Sequence, residues 1–368
     1  MTDNLLTTQQ IWIDKSNLVK TNVVQQMFDP AALKAGEVLL KIDSFGFSAN
    51  NITYALLGEK MGYWGFFPAP NSWGIIPVWG FATVALSNVE GIEVGEKLFG
   101  YLPMASHWVV KPDKVSAHGF FDVHPQRKSI SPVYDNYLRC AQDLGYDVNK
   151  EAIQMNIRPL FMTSFVLDDF VAEHIDTKVQ DIILTSASSK TAYGTAHLLH
   201  KHKADRGLSY RVIGLTSASN KAFTEQLGCY DQVICYADIQ QLDVDNGVWI
   251  LDFAGNKKLL LELQQTYADN LHKMIFIGAT DVQAQNNKAS GQLNGEVFFA
   301  PAQVKKRVHE WSQQKFSERY TQAWKGFLHL IDRNVVVANY VGVNDIEAVY
   351  LQALTGKLSN QNINVLTF

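Results

Sequence analysis

The sequence predicts an α/β protein: a doubly wound parallel sheet in one unit, joined to a second unit rich in β-strands. Three observations carry that reading. Strand-length apolar runs alternate with amphipathic helical stretches between Pro159 and Pro301, and no proline interrupts them. Such alternation builds βαβ units, and βαβ units build a parallel sheet. Ten of the 24 glycines fall between Gly36 and Gly100, interleaved with short alternating apolar runs, which reads as irregular β-structure with tight turns. The length, 368 residues, exceeds one ordinary core and suits about two or three domains.

In chain order, Val38-Leu39-Leu40-Lys41-Ile42 is a clear strand of the β-rich unit. Residues 117–160 are polar and aromatic, hold Pro125, Pro132 and Pro159, and read as an extended connection carrying helical turns. The wound unit starts at Ile182-Ile183-Leu184, which leads into a helix around 190–203. Val212-Ile213-Gly214-Leu215 leads into a helix around 219–227. Val233-Ile234, Val248-Trp249-Ile250-Leu251 and Met274-Ile275-Phe276-Ile277 continue the series. After Pro301 comes a helical segment rich in Lys, Arg and Trp, then a β-α-β stretch ending in Asn364-Val365-Leu366-Thr367-Phe368. The proline gap and this tail assign residues 1–165 with 302–368 to the β-rich unit and 166–301 to the wound unit.

Composition excludes several classes. With 32 basic and 36 acidic side chains the formal charge is −4, so the basic surface a nucleic-acid partner needs is missing. Hydrophobic residues make up 47% of the chain and charged residues 18%, which excludes disorder. No apolar run approaches the roughly 18 residues of a membrane span. The start, MTDNLLTTQQ, lacks the features of a secretory signal, and a soluble cytoplasmic protein is expected. Cys140, Cys229 and Cys235 form no C-x-x-C pair, which removes zinc-ribbon and dithiol chemistry.

The candidate chemistry sits at strand ends. Thr185-Ser186-Ala187-Ser188-Ser189-Lys190-Thr191-Ala192 follows the first wound strand and opens a helix. A dinucleotide pyrophosphate binds in such a turn, on the N–H groups of the helix start. Glycines are usual there, for a tight turn and close approach; here Ser186, Ser189 and Ala192 take the three-residue steps, and Lys190 adds a cation. Ser189 serves equally as an ordinary helix N-cap. At the end of the second strand the run Leu215-Thr216-Ser217-Ala218-Ser219-Asn220-Lys221 offers hydroxyls and a lysine but no acid. An acid there would bind the ribose 2′-hydroxyl; Ser217, Asn220 and Lys221 suit a 2′-phosphate, hence NADP(H). A solvated loop with a further N-cap explains the same residues.

Several stretches together carry a family resemblance. Gly36-Glu37-Val38-Leu39-Leu40-Lys41-Ile42, Gly91-Ile92-Glu93-Val94-Gly95-Glu96-Lys97-Leu98-Phe99-Gly100 and Leu227-Gly228-Cys229-Tyr230-Asp231-Gln232-Val233-Ile234 occur in a telling order. Leu251-Asp252-Phe253-Ala254-Gly255, Ile275-Phe276-Ile277-Gly278 and the tail from Val343 complete it. In order and spacing the chain resembles the zinc-independent, quinone-oxidoreductase-like branch of the medium-chain dehydrogenase/reductase superfamily. The likeness covers about four-fifths of the chain; the glycine-poor turn, residues 158–170 and Phe298-Phe299-Ala300-Pro301 mark a divergent branch. The resemblance implies a Rossmann-type domain and a GroES-like domain, with Tyr236, Phe253 and Gly278 lining the cofactor. It also implies a homodimer, for which Val297-Phe298-Phe299 offers an apolar edge strand.

No zinc site is expected. The run Ser44-Phe45-Gly46-Phe47-Ser48 holds no cysteine where zinc-binding relatives place one, and His197, His200 and His202 read as surface residues. Asn51-Ile52-Thr53-Tyr54 lies near the relatives' substrate-side tyrosine, and a hydroxyl there can bond a carbonyl or donate a proton; Tyr54 equally fits core packing. The aromatic surplus Tyr63, Trp64, Phe66, Phe67, Trp73, Trp79 and Phe81 suits an apolar pocket or a core. The expected function is reduction of an apolar carbonyl, enone or quinone by NADP(H). A catalytically silent NADP(H)-binding protein and a wound-domain protein binding another ligand stand as alternatives.

Overall fold

The computed structural model describes residues 5–128, 131–243, 245–277 and 292–368. The chain forms two compact units, Met1–Asn156 with Val336–Phe368, and Ile157–Val335. In the first, β1 (Leu6–Asp14) and β2 (Asn17–Phe28) form an antiparallel pair. Then come β3 (Val38–Phe47), α1 (Ala49–Leu56), the single turn α2 (Gly58–Met61), β4 (Trp73–Gly74), β5 (Pro77–Ser87), β6 (Lys97–Pro103), β7 (His107–Val110) and β8 (Pro112–Ser116). The antiparallel ladder β3-β5-β6 is its centre, and Val38, Leu40, Phe45, Val78, Phe81 and Leu98 are buried on it.

The stretch expected as an extended connection is partly sheet. β9 (Gly119–Asp122) and β10 (Asn136–Arg139) pair with each other, and β10 pairs with β6. It then enters a 24-residue helix, α3 (Glu151–His174), with Pro159 inside it. That helix escaped the sequence reading because Pro159 removes one backbone donor, while Ile153 to Arg158 and Ser164 to Asp168 are buried without a break, so no amphipathic period shows.

The second unit is a parallel sheet: β11 (Val179–Leu184), β12 (Arg211–Thr216), β13 (Gln232–Cys235), β14 (Gly247–Asp252), β15 (Leu271–Phe276) and β16 (Glu296–Val297). Among the described residues their order is β13-β12-β11-β14-β15-β16, the 3-2-1-4-5-6 order of a Rossmann-type sheet. The strands are continuous apolar runs because both faces are covered. The covering helices are α4 (Lys190–His202), α5 (Lys221–Gln226) and α6 (Lys257–Tyr267). On one side Ile183, Ile213, Val248, Ile250, Leu260 and Leu263 form the core. At the sheet's edge Val297 is 78% and Phe299 59% exposed, whereas Phe298 packs on Phe170 at 5.3 Å.

Helices α7 (Ala300–Trp311) and α8 (Gln313–Ile331) were expected in the β-rich unit but group with the parallel sheet. Phe327 stacks on Phe161 of α3 at 4.6 Å and on Tyr193 of α4 at 6.0 Å, and Gln303 donates to Asp169 at 2.7 Å. The chain then returns through β17 (Val336–Val341), α9 (Val343–Leu354) and β18 (Asn362–Thr367). β18 runs parallel to β17 and antiparallel to β3, with Val365 opposite Gly46.

Candidate cofactor and substrate sites

In an open parallel sheet, ligands bind beyond the carboxyl ends of the strands where the order reverses. Here the reversal lies beside β11. The turn after β11 is held by its neighbours. Thr185 Oγ1 donates to Asp252 Oδ1 at 2.6 Å and accepts the Phe253 N–H at 3.1 Å; the Ala187 N–H donates to the Leu215 carbonyl at 2.9 Å. Ser186 has φ +48°, a conformation that glycine adopts freely and that costs an L-residue about 1–2 kcal/mol. Its N–H donates to the Tyr236 hydroxyl at 2.9 Å, which holds the residue there.

Ser189 occupies the N-cap of α4 with φ −76° and ψ 148°, but its side chain makes no capping bond. Ser189 Oγ is buried without a hydrogen-bond partner. Lys190, the next residue, is only 8% exposed, and burial lowers its ammonium to about 8. An orphaned hydroxyl and a desolvated cation at a helix start both favour an anion, so the turn fits a dinucleotide pyrophosphate. The Thr191 carbonyl accepts from Ser164 Oγ at 2.8 Å and Thr195 Oγ1 at 2.9 Å; Ala192 is fully buried. The close approach of α4 to α3 rests on Gly194. A Cβ there would lie 2.7 Å from Ser164 Oγ and 3.3 Å from the Phe161 ring.

Beyond β12, Asn220 Nδ2 donates to Ser217 Oγ at 3.0 Å, and the Ser217 and Ser219 hydroxyls bond at 3.0 Å. Lys221 pairs instead with Glu225 one turn on, and that hydrogen bond raises its pKa. The structure thus joins Ser186 with Tyr236, and Ser217 with Asn220, and sets Phe253 at the end of β14 on the Thr185 hydroxyl. Gly278 lies outside the described residues.

In the β-rich unit, α1 is tied to β5 by Asn51 Nδ2, which donates to the Pro77 carbonyl at 3.1 Å. Tyr54, one turn further, is 7% exposed. Asn50 Nδ2 donates to its hydroxyl at 2.7 Å, and burial pushes its pKa well above the usual tyrosine value. Its ring lies 4.7 Å from Tyr63 and 5.7 Å from Tyr101. Tyr101 in turn meets Tyr134 at 4.8 Å and Trp79 at 5.0 Å. Tyr101 and Tyr134 were missed because they come from β6 and from a turn 33 residues later, with no local signal. Trp64 belongs to the core: Cβ atoms at Gly58 and Gly74 would lie 2.1 Å and 2.4 Å from its ring. Phe81 and Phe67 are fully buried as well.

Two of the three histidines are not surface residues as expected. His197 packs against Phe327, and burial lowers its pKa to about 4. His202 Nδ1 lies 2.9 Å from Asp168 Oδ2, a carboxylate that also takes two bonds from Arg206. Among the described residues no three His, Cys, Asp or Glu side chains are grouped to hold a metal ion, and no helix is long and apolar enough to cross a membrane.

A family profile described as a protein of unknown function (DUF2855) matches residues 45–359. No curated protein matches the sequence. Among solved structures, CurA from Vibrio vulnificus in complex with NADPH is 13% identical with a TM-score of 0.64, covering 97% of this chain and 98% of its own. The Etr1p complex with NADP and crotonyl-CoA is 13% identical with a TM-score of 0.59, covering 99% and 100%; Etr1p is from Candida tropicalis. The yhdH oxidoreductase from Salmonella enterica in complex with NADP is 12% identical with a TM-score of 0.52, covering 98% and 99%. The chain therefore has the fold of these reductases, a Rossmann-type parallel sheet with a GroES-like β-rich unit.

Proposed function

We infer that this chain, which belongs to the DUF2855 family, is an NADP(H)-dependent oxidoreductase that reduces an apolar carbonyl, enone or quinone without a metal ion. The observation that carries the reading is the orphaned Ser189 hydroxyl at the start of α4, where a sheet of this order receives a dinucleotide. The NADPH or NADP bound to CurA, Etr1p and the yhdH oxidoreductase supports it. Bound NADPH would supply a hydride to the substrate.

The chain's own residues then have separate tasks. Ser189, the first turn of α4 and Lys190 hold the pyrophosphate, and Ser186 gives the turn its shape. Ser217, Asn220 and Lys221 receive the 2′-phosphate; Thr191, Ala192, Tyr236, Phe253 and Gly278 line the cofactor. Tyr54 donates to the substrate oxygen: Asn50 already donates to it, which leaves its own proton to give, and burial keeps that proton on at neutral pH.

Thermal-shift titration with NADPH, NADH and ATP tests the binding half, because a ligand of the native state raises apparent stability. NADPH should raise the Tm most; no rise, or a rise with ATP alone, would overturn the cofactor assignment. NADPH oxidation against a panel of quinones and enones tests the chemistry. Binding without turnover across that panel would leave a silent NADP(H)-binding protein.

A further inference from the structure

On the reductase reading, on which this inference rests, what surrounds Tyr54 bears on the loss of its proton. Asn50 Nδ2 donates to Tyr54 Oη at 2.7 Å, and the Tyr101 ring, itself against Trp79, stands edge-on to the Tyr54 ring at 5.7 Å. Burial raises the Tyr54 pKa, and the Asn50 amide, the Trp79 indole and the Tyr101 hydroxyl oppose that by favouring its anion. Tyr101 is fully buried, and its hydroxyl makes no well-formed hydrogen bond in the resting protein. The other titratable groups facing the pair are the phenols of Tyr63 and Tyr134. A buried donor without an acceptor destabilises the resting protein. It acquires an acceptor when negative charge develops beside it, which is how preorganised donors favour a transition state.

We propose that Tyr101 is a positioning residue for Tyr54: its hydroxyl, together with the Asn50 amide, stabilises the Tyr54 phenolate formed when Tyr54 protonates the substrate oxygen. In that step a hydride enters the electrophilic carbon of the enone or quinone, and the π pair moves onto the carbonyl oxygen. The Tyr54 O–H bond breaks as an O–H bond forms on that oxygen. Bound NADPH would supply that hydride, and with it the two electrons that reduce the substrate, leaving NADP+; solvent returns a proton to Tyr54.

The test separates this inference from the reductase reading. With Tyr54 replaced by a trifluorinated tyrosine, whose phenol ionises while the protein is still folded, absorbance reports phenolate stability without substrate or cofactor. Tyr101→Phe in that background should raise the ionisation midpoint by about one pH unit, a roughly tenfold weaker phenolate. Asn50→Ala should move it the same way and covers the case in which Tyr101→Phe does not fold. In the natural chain Tyr101→Phe should lower kcat about tenfold, leave KM unchanged and enlarge the solvent deuterium isotope effect. The Tm should change little, because the hydroxyl removed makes no well-formed hydrogen bond. A midpoint that Tyr101→Phe leaves unmoved overturns the proposal, whatever Asn50→Ala or the Tm does. If wild type reduces nothing in the panel, the reductase reading falls, and the midpoint still decides the coupling of Tyr101 to Tyr54.

Discussion

Replacing Lys190 by methionine should make the protein more stable and less able to hold NADPH. Lys190 is the first residue of α4, nearly out of solvent, and burial lowers its ammonium from 10.5 to about 8. The unfolded chain keeps the ordinary value. Between about pH 8 and 10.5 it therefore binds more protons than the folded chain, and stability rises with pH across that window. Below about pH 8 both states carry the charge, and its burial is felt in full. At about 1.4 kcal/mol per pH unit the displacement amounts to about 3 kcal/mol.

Methionine keeps an unbranched stem and removes the charge. At neutral pH Lys190→Met should gain up to about 3 kcal/mol, less what the lysine's own contacts contribute, a Tm rise of at most about 6–12 °C for a unit of this size, and the gain should vanish above pH 10.5. The ligand reverses the preference, because a pyrophosphate beside the lysine favours its charged form. Wild-type affinity for NADPH should be flat below about pH 8 and weaken by up to about tenfold per pH unit above it; the variant should bind more weakly with no such bend. Scanning calorimetry at neutral and alkaline pH, with dissociation constants across the same range, measures both. A lower Tm for the variant at neutral pH, or a wild-type dissociation constant that does not bend, would refute the reasoning.

Ser189→Ala should leave the unliganded Tm unchanged or slightly higher, since the hydroxyl has no partner, and should weaken NADPH and NADH alike by roughly tenfold. Equal affinity of variant and wild type would remove Ser189 from the site. Lys221→Ala should erase most of a roughly tenfold preference for NADPH over NADH while sparing NADH, the preference kept small by salt and by competition from Glu225. Equal wild-type affinity for the two cofactors would sink the second-strand argument. Gly194→Ala gains about 1 kcal/mol of helix propensity but crowds Ser164 and Phe161, which costs about 1–3 kcal/mol. The variant should lose up to about 2 kcal/mol, and Ser164→Gly in the same chain should restore part of it; full stability of Gly194→Ala alone would show that α3 yields.

What the sequence could and could not show follows from where each signal is stored. The parallel sheet was legible because β11, β12 and β14 are covered on both faces, so each strand is written as an apolar run that needs no partner to be seen. The turn proposed to hold the cofactor stood out for the same reason, as a polar gap between such a strand and a helix. α3 was not, because a helix buried on most sides loses its period, and Pro159 argues locally against it. The assignment of α7 and α8 turned on Phe327 meeting Phe161 and Tyr193, contacts between segments more than 130 residues apart in sequence. Lys190 shows the limit most sharply. From its neighbours in sequence it reads as a cation offered to a phosphate, but its pKa depends on how deeply α4 seats it. Sequence order reports which group is present at a strand end; only packing sets the protonation equilibrium with which that group meets its ligand. The same holds for Tyr101, an ordinary strand tyrosine by sequence, whose hydroxyl becomes informative only once Tyr54 is beside it and no resting acceptor is.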